Sequence, residues 1–211
     1  MNDALWIWSI GLLAFIGFNL WYNNWRGPLS AAEISKYTDR LKTRLEEDGG
    51  SVDDENGALI EFVTQDDGKE FYMLNLIQFP NADVVHPDTG ARREPMQLLM
   101  EYFKPFMVSI FSRAGHPVLS GPIVGGYIEA WNVETNPGWS GAGLIRYRSR
   151  RDFLELALNP HFDSIHIFKK IALQSTFATP FQPNSGLAMS PRIWIGLVIA
   201  LLSASLHIAI V

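Results

Sequence analysis

Residues 71–79, with the sequence FYMLNLIQF, decide the fold, because they are the strongest strand signal in the chain. Phe71, Met73 and Asn75 fall on one face of this stretch, and the alternate residues fall on the other. Both faces are mostly apolar. The stretch therefore predicts an interior strand that is covered on each side.

Helical and strand patterns alternate after this strand. A helical pattern at residues 94–113 is followed by a bent strand at 116–131 and a second strand at 142–148. A helix that is broken at Pro160 follows at 150–174, and a last strand at 175–181. The order predicts an α+β domain over residues 68–183, with the ferredoxin-like βαββαβ arrangement and both helices on one face of an antiparallel sheet. The other sheet face would need a partner.

A helical linker region is predicted before this domain, over residues 30–67. Ser30 and Glu33 have the spacing of a capping box at the start of a helix. Ile34, Tyr37 and Leu41 then fall on one helical stripe.

An apolar run lies at each end of the chain, at residues 4–22 and 193–211. Each run contains 19 residues, which nearly matches a hydrocarbon core of about 30 Å. Both runs are therefore predicted as transmembrane helices. A cleaved signal peptide is the alternative for the first run, but Asp3 and the lack of a leading Lys or Arg disfavour it.

The second run carries a stripe of small residues, which favours close packing against another helix. The predicted packing residues are Gly196, Ala200, Ser203, Ala204 and His207. For His207 two interpretations stay open, a position near the lipid headgroups and a buried hydrogen bond between helices.

Basic residues flank only the inner ends of the two runs. They are Arg26, Lys36, Arg40, Lys42 and Arg44 after the first run, and Arg192 before the second. The positive-inside rule therefore predicts two spans with the central domain in the cytoplasm.

Composition excludes several classes of function. The formal net charge is −5 and the pI is about 5.5, so no nucleic-acid partner is expected. The chain has no cysteine, which rules out disulfides, thiolate metal sites and iron–sulfur clusters. Basic pairs such as Lys169–Lys170 are interpreted as solvated helix faces.

Three motifs carry a resemblance to a known family. They are LNLIQF at residues 74–79, RYRSRRDFLELALNPHF at 146–162 and IHIFKKIALQST at 165–176. Over residues 68–179 the chain resembles a bacterial domain family of unknown function in the dimeric α/β-barrel superfamily, and a bacterial inner membrane is expected from this. The chain departs from the family pattern at Arg148, where proline is usual, and after His166, where the family has a histidine–arginine pair.

The resemblance implies a homodimer in which two sheets pack face to face. It implies no single activity, since the superfamily includes monooxygenases, isomerases, peroxidases and proteins without catalysis.

Asn75, His116 and His166 are the candidate catalytic residues. Asn75 is an amide on an apolar strand face, which fits either a structural hydrogen bond to backbone or an amide that orients a substrate. His116 and also His86 could each serve as a general base or a haem ligand. His161 and His166 lie five residues apart on a helix and make a poor metal pair, so no metal site is predicted.

Arg146 and Arg148 come from the strand at 142–148. They are predicted to lie at a protomer interface, with an anion site as the alternative.

Two hypotheses about function follow. The favoured one is a membrane-anchored accessory or scaffolding subunit that contacts the lipid bilayer, a second copy of itself and other membrane-protein subunits. The alternative is a membrane-tethered enzyme of monooxygenase or isomerase type that acts on a lipophilic small molecule such as a quinone. No cofactor is predicted for either.

Overall fold

The computed structural model describes residues 2–47, 55–184 and 190–210. Within them the chain forms two compact units, one of Arg26–Gln182 and one of Met1–Trp25 with Pro183–Val211. The end of the second predicted span at Val211 and part of the predicted linker region, residues 48–54, lie outside the described residues.

The helices are α1 (Asn2–Tyr22), α2 (Ala31–Glu47), α3 (Glu55–Thr64), α4 (Pro95–Ser112), α5 (Arg150–Ala157), α6 (Pro160–Ala172) and α7 (Pro191–Ile210). The strands are β1 (Phe71–Gln78), β2 (Val84–Val85), β3 (Arg92–Arg93), β4 (His116–Pro122), β5 (Gly141–Tyr147) and β6 (Ser175–Phe181).

Four strands of the Arg26–Gln182 unit form one antiparallel sheet in the order β4-β5-β1-β6. The predicted α+β class with a four-stranded antiparallel sheet is therefore confirmed, and β1 is an interior strand. The strand predicted over 116–131 is shorter than expected, because β4 ends at Pro122 and residues 123–140 form neither helix nor strand. Gly125, Gly126 and Asn132, which has a positive φ of 52°, interrupt an extended backbone there.

Within the described part of this unit, the helices cover one face of the sheet, which we call the inner face. Phe71 and Met73 of β1 pack there with Ile110 of α4 and Phe162 of α6. On the opposite, outer face Leu74 and Leu76 are half-buried. Among the described residues of this unit, no helix covers the outer face of β1, whereas its sequence pattern predicts coverage on both faces.

Helix α2 belongs to the same compact unit as the sheet. The predicted capping box forms, with the Ser30 amide 2.9 Å from Glu33 Oε2 and the Glu33 amide 3.3 Å from Ser30 Oγ. Tyr37 and Leu41 then bury against Leu154 and Leu158, on the flank of α5 and its C-terminal end. The region predicted as a linker is therefore packed into the domain, since α5 presents apolar side chains in two directions.

The other unit pairs α1 with α7. The helices run antiparallel, because Gly11 lies against Ser203, Phe15 against Gly196, and Asn23 against Arg192. Arg192 Nε donates to Asn23 Oδ1 at 2.7 Å, and the guanidinium lies 4.8 Å from the Tyr22 ring centroid. Both helices are long and apolar enough to cross a membrane.

The seam of α7 differs by one position from the predicted stripe. Gly196 and Ser203 face α1, but Ala200 is exposed and Ile199 contacts the Gly11 position instead. A four-residue repeat drifts around a helix of 3.6 residues per turn, whereas alternating steps of three and four stay on one side. Ala204 is half-buried, and the buried Nδ1 of His207 makes no hydrogen bond with the described residues.

Candidate functional site

A cavity of about 910 Å³ lies in the domain between the inner face of the sheet and helices α4 and α6. Small residues make the room for it. Asn75 in the middle of β1 is paired with Gly143 on one side and Ala178 on the other. The surrounding walls are mostly apolar and include Met73, Ile77, Leu99, Phe103, Phe106 and Phe162.

Asn75 contributes an amide to this cavity. Its Nδ2 donates to the carbonyl oxygen of Met73 at 3.0 Å. Its side-chain oxygen accepts no hydrogen bond from the described residues. The amide therefore makes the expected structural bond to backbone and still has an acceptor to offer a ligand.

Tyr102 of α4 and two residues of α6, His166 and Lys169, add further polar groups to the cavity wall. The His166 ring centroid and Lys169 Nζ each lie 5.8 Å from the Tyr102 ring centroid. Burial lowers the pKa of Lys169 and raises the pKa of Tyr102 to about 12. At neutral pH Tyr102 is therefore a protonated hydroxyl that can donate a hydrogen bond.

Lys169 and Tyr102 are residues of this site that are not among the candidates from the sequence. The sequence pattern predicts a solvated face for Lys169 and Lys170 alike, but of the two only Lys170 is exposed. Phe162, His166 and Lys169 recur at intervals of four and three residues, which puts all three on one side of α6. That spacing was the available signal.

His116 lies apart from the cavity. It stands on β4 opposite Arg146, with its Nδ1 3.0 Å from the carbonyl oxygen of Pro117. Burial lowers its pKa, so the ring is neutral at pH 7. The structure thus brings Asn75 and His166 to one cavity and leaves His116 outside it.

His86 has a structural role. Its Nδ1 accepts from the backbone amides of Asp88 and Thr89, at 3.2 and 3.4 Å, so Nε2 carries the proton and donates to Glu101 at 3.1 Å. The buried ring thereby closes the turn between β2 and β3.

Arg146 and Arg148 form ion pairs inside their own domain. Arg146 is 1% exposed, contacts Glu70 and donates to the carbonyl oxygen of Ala114 at 2.6 Å. Arg148 holds both carboxylate oxygens of Asp152, at 2.9 and 2.6 Å. Their placement at a protomer interface stays a prediction, and both guanidinium groups are already engaged within the protomer.

No group of three His, Cys, Asp or Glu side chains suited to a metal ion occurs among the described residues. In particular, His161 and His166 do not form such a group with a third side chain among the described residues. The side chain of Asp163, between them, lies outside the described part of the chain.

No protein-family model matches the sequence, and no curated protein matches it. Among solved structures, the chain is similar to RPA0582, a protein of unknown function from Rhodopseudomonas palustris, with 17% identity, a TM-score of 0.51 and coverage of 65% of this chain and 99% of that one. The methylated form of RPA0582 gives 17% identity, a TM-score of 0.53 and coverage of 66% and 98%.

SnoaB, a cofactor-independent oxygenase from Streptomyces nogalater, covers 57% of this chain and 99% of its own, at 13% identity and a TM-score of 0.36. A score that low supports no conclusion about this chain. The likeness to RPA0582, at 17% identity, concerns the fold alone. It fits the strand order and helix placement described above, and the central domain accordingly has a ferredoxin-like α+β fold.

Proposed function

We propose that this chain is a membrane-tethered protein whose central domain binds a lipophilic small molecule, and acts on it, in the cavity beneath β1. The cavity is the observation that carries the proposal. A largely apolar space of about 910 Å³ with a few convergent polar groups is typical of small-molecule sites. The sequence favoured an accessory subunit because no catalytic set was visible, and the cavity reverses that preference.

The polar groups suit chemistry at an oxygen atom of such a ligand. Tyr102 can donate a hydrogen bond, Asn75 can orient the ligand, and His166 can accept or return a proton. These roles fit the alternative given by the sequence, an enzyme of monooxygenase or isomerase type. In an isomerase a proton leaves one carbon next to a carbonyl group and joins another, and in a monooxygenase loss of such a proton precedes reaction with O2.

Filling the cavity tests this proposal. An added Cβ at Gly143 would have only the Ser120 side chain in reach, at 3.9 Å, so Gly143→Leu should be accommodated in the free space. The matched control is Gly125→Leu, because Gly125 lies outside the cavity with nothing within 4 Å of an added Cβ. Native mass spectrometry of the full chain in mild detergent would measure binding of a short-chain quinone.

We expect Gly143→Leu to reduce quinone binding by about tenfold or more, as loss of an apolar pocket of this kind implies. Gly125→Leu should bind like the unmodified chain. Equal binding by all three proteins would contradict the proposal, provided that their melting temperatures agree.

Two spans of a bacterial inner membrane, with the domain in the cytoplasm, complete the proposal. The lengths of α1 and α7 and the position of the basic residues support this arrangement. Since the chain has no cysteine, Thr89→Cys in the domain and Ala209→Cys near the end of α7 each give a single label. A membrane-impermeant maleimide on intact cells should label only Ala209→Cys. Labelling of Thr89→Cys would place the domain outside and contradict the orientation.

The second candidate function is assembly: the domain would form a homodimer, with or without other membrane subunits. The outer face of the sheet favours it, since Leu119 is 72% exposed and Phe177 is 49% exposed there, beside half-buried Leu74 and Leu76. Exposed apolar surface on this scale is typical of an interaction site.

Substituting one outer-face residue tests the dimer. Phe177→Asp should give a monomer on native mass spectrometry in mild detergent, while the control Val124→Asp, in the exposed 123–140 segment, should stay a dimer. A monomeric unmodified chain would contradict the homodimer. Stoichiometric proteins that co-purify after gentle extraction would instead favour the accessory-subunit function.

A further inference from the structure

We propose that the ligand of the cavity is an amphiphile with a long apolar body and one carboxylate head, and that Lys169 binds the carboxylate. The inference rests on the proposed small-molecule function and adds the chemical class of the ligand. It stands on the charge of the cavity walls, on the surroundings of the Lys169 ammonium, and on the other donors in reach of a ligand.

The charged residues that line the cavity all have the same sign. Lys169 and Arg44 are basic, and none of the described lining residues is acidic. Arg44 Nη1 donates to the carbonyl oxygen of Ala157 at 2.6 Å, at the α5 end of the cavity. In walls that are otherwise mostly apolar, such a charge set attracts an anion and repels a cation.

The ammonium of Lys169 has no carboxylate partner among the described residues. Its one described interaction is with the ring face of Tyr102, whose centroid is 5.8 Å from Nζ. A cation–π contact at this distance is weak, and it offsets less than the cost of keeping a charge in an apolar site. A ligand carboxylate would supply the missing counter-charge, and the lowered pKa of Lys169 agrees with an ammonium that lacks one.

A carboxylate fits better than a neutral alcohol or quinone for a physical reason. It is ionised at neutral pH, so it pairs with the ammonium without a proton transfer, and it has two acceptor oxygens. Tyr102, protonated at neutral pH because its pKa is about 12, can donate to the second oxygen. The apolar walls, including Phe103 and Phe106, would enclose the hydrocarbon chain.

The neighbouring Lys170 provides a matched control. It is one residue away on α6 and carries the same charge, but it is exposed and does not line the cavity. A general electrostatic effect of helix α6 would therefore change equally in Lys169→Met and Lys170→Met, whereas a contact in the cavity would change only in the first.

The test uses the full chain in nanodiscs of a zwitterionic phospholipid, with empty nanodiscs to subtract partition into lipid. Equilibrium dialysis would measure the binding of three probes of equal chain length: dodecanoate, dodecanol and dodecylammonium. We expect the unmodified chain to bind dodecanoate about tenfold or more tightly than dodecanol, as a charge-assisted hydrogen bond implies. Lys170→Met should keep this ratio, and Lys169→Met should reduce it to near one.

Dodecanol serves as the internal control for folding, because its binding to Lys169→Met should match that of the unmodified chain. Equal binding of dodecanoate and dodecanol to the unmodified chain would overturn the carboxylate ligand and leave the apolar cavity function standing. Tightest binding of dodecylammonium would have the same consequence. A preference for dodecanoate that Lys169→Met keeps would overturn the role of Lys169. If no probe binds above empty nanodiscs, both the ligand class and the proposed function fail.

Discussion

Arg151 shows how one buried side chain connects the start of the domain to helix α5. The residue is 4% exposed, and its guanidinium donates to Glu33 at 3.0 and 3.1 Å and to the carbonyl oxygens of Gly27 and Pro28 at 3.2 and 3.1 Å. The bonds from Arg151, with those from Ser30, lower the pKa of Glu33 from 4.5 to about 2. The segment that leads into α2 is thereby held against α5.

The lowered pKa predicts a defined pH dependence. Because the folded-state value lies below the unfolded one, Glu33 stabilises the domain fully above pH 4.5, and this stabilisation is lost as the pH falls towards about 2. Glu33→Gln should lower the free energy of unfolding by about 1 kcal/mol at pH 7 and by much less near pH 2.

Urea denaturation at the two pH values measures this effect. Glu129→Gln is the control, since Glu129 lies in the exposed 123–140 segment. If Glu33→Gln lowered the free energy of unfolding equally at pH 7 and near pH 2, the charge of Glu33 would not be what stabilises the domain.

At the scale of residues, the sequence predicted part of the cavity. Asn75 stood out because an amide interrupts an apolar strand face, and it does line the cavity. Lys169 did not stand out, because a lysine beside Lys170 on a helix is normally solvated. Its position follows from the packing of α6 on the sheet, which a local pattern does not encode.

Among the elements, two helices of the domain begin with the same motif in different surroundings. Ser149 is 1% exposed and accepts from the Asp152 amide at 3.1 Å, and its hydroxyl donates to Asp152 Oδ2 at 2.6 Å. Ser30 makes the equivalent bonds with Glu33 at the exposed start of α2.

Ser149→Ala should therefore lower the free energy of unfolding more than Ser30→Ala does. We expect a loss of about 2 kcal/mol for Ser149→Ala, which leaves a buried carboxylate with one donor fewer, and about 1 kcal/mol for Ser30→Ala. Thermal unfolding of the two variants, followed by circular dichroism, gives the comparison. A larger loss for Ser30→Ala would mean that burial does not set the strength of these caps.

The α1–α7 pair offers a similar contrast between two glycines. A Cβ at Gly11 would lie 2.5 Å from Ser203 Oγ, whereas a Cβ at Gly17 would meet nothing within 4 Å. Gly11→Leu should therefore separate the helices, and Gly17→Leu should not.

Cross-linking measures this separation in a chain without native cysteine. With cysteines at Phe15 and Gly196, which are in contact across the pair, disulfide formation should fall severalfold in Gly11→Leu and stay unchanged in Gly17→Leu. Equal cross-linking in both variants would contradict the described seam.

The sequence predicted the type of most elements and missed some of their limits. The capping box at Ser30, the break at Pro160 and the strand 71–79 depend on neighbouring residues, so local patterns reveal them. The end of β4 at Pro122 depends on where pairing with β5 stops, and the exposure of Ala200 depends on how α7 meets α1. Both are set by contacts with distant parts of the chain.

The domain as a whole extends beyond its sheet, because α2 and α3 build part of its core. Val63 of α3 and Leu154 of α5 are fully buried together with Leu41 of α2. A chain of residues 26–182 should therefore fold on its own, whereas residues 68–182 would expose Leu154 and Leu158 and lose several kcal/mol of stability.

Expression of the two fragments tests this expectation. Residues 26–182 should be soluble and unfold cooperatively on heating, and residues 68–182 should aggregate or melt without a transition. A stable fragment of residues 68–182 would show that α2 and α3 add nothing essential, as the linker interpretation of the sequence held.

The pairing of Gly11 with Ser203 also imposes an order of events during synthesis. Ser203 is made 192 residues after Gly11, so α1 cannot pair with α7 until the ribosome has passed the entire domain. The domain can meanwhile fold in the nascent chain. In the proposed membrane, α1 must therefore persist in lipid without α7, which its internally satisfied backbone permits, until α7 is synthesised.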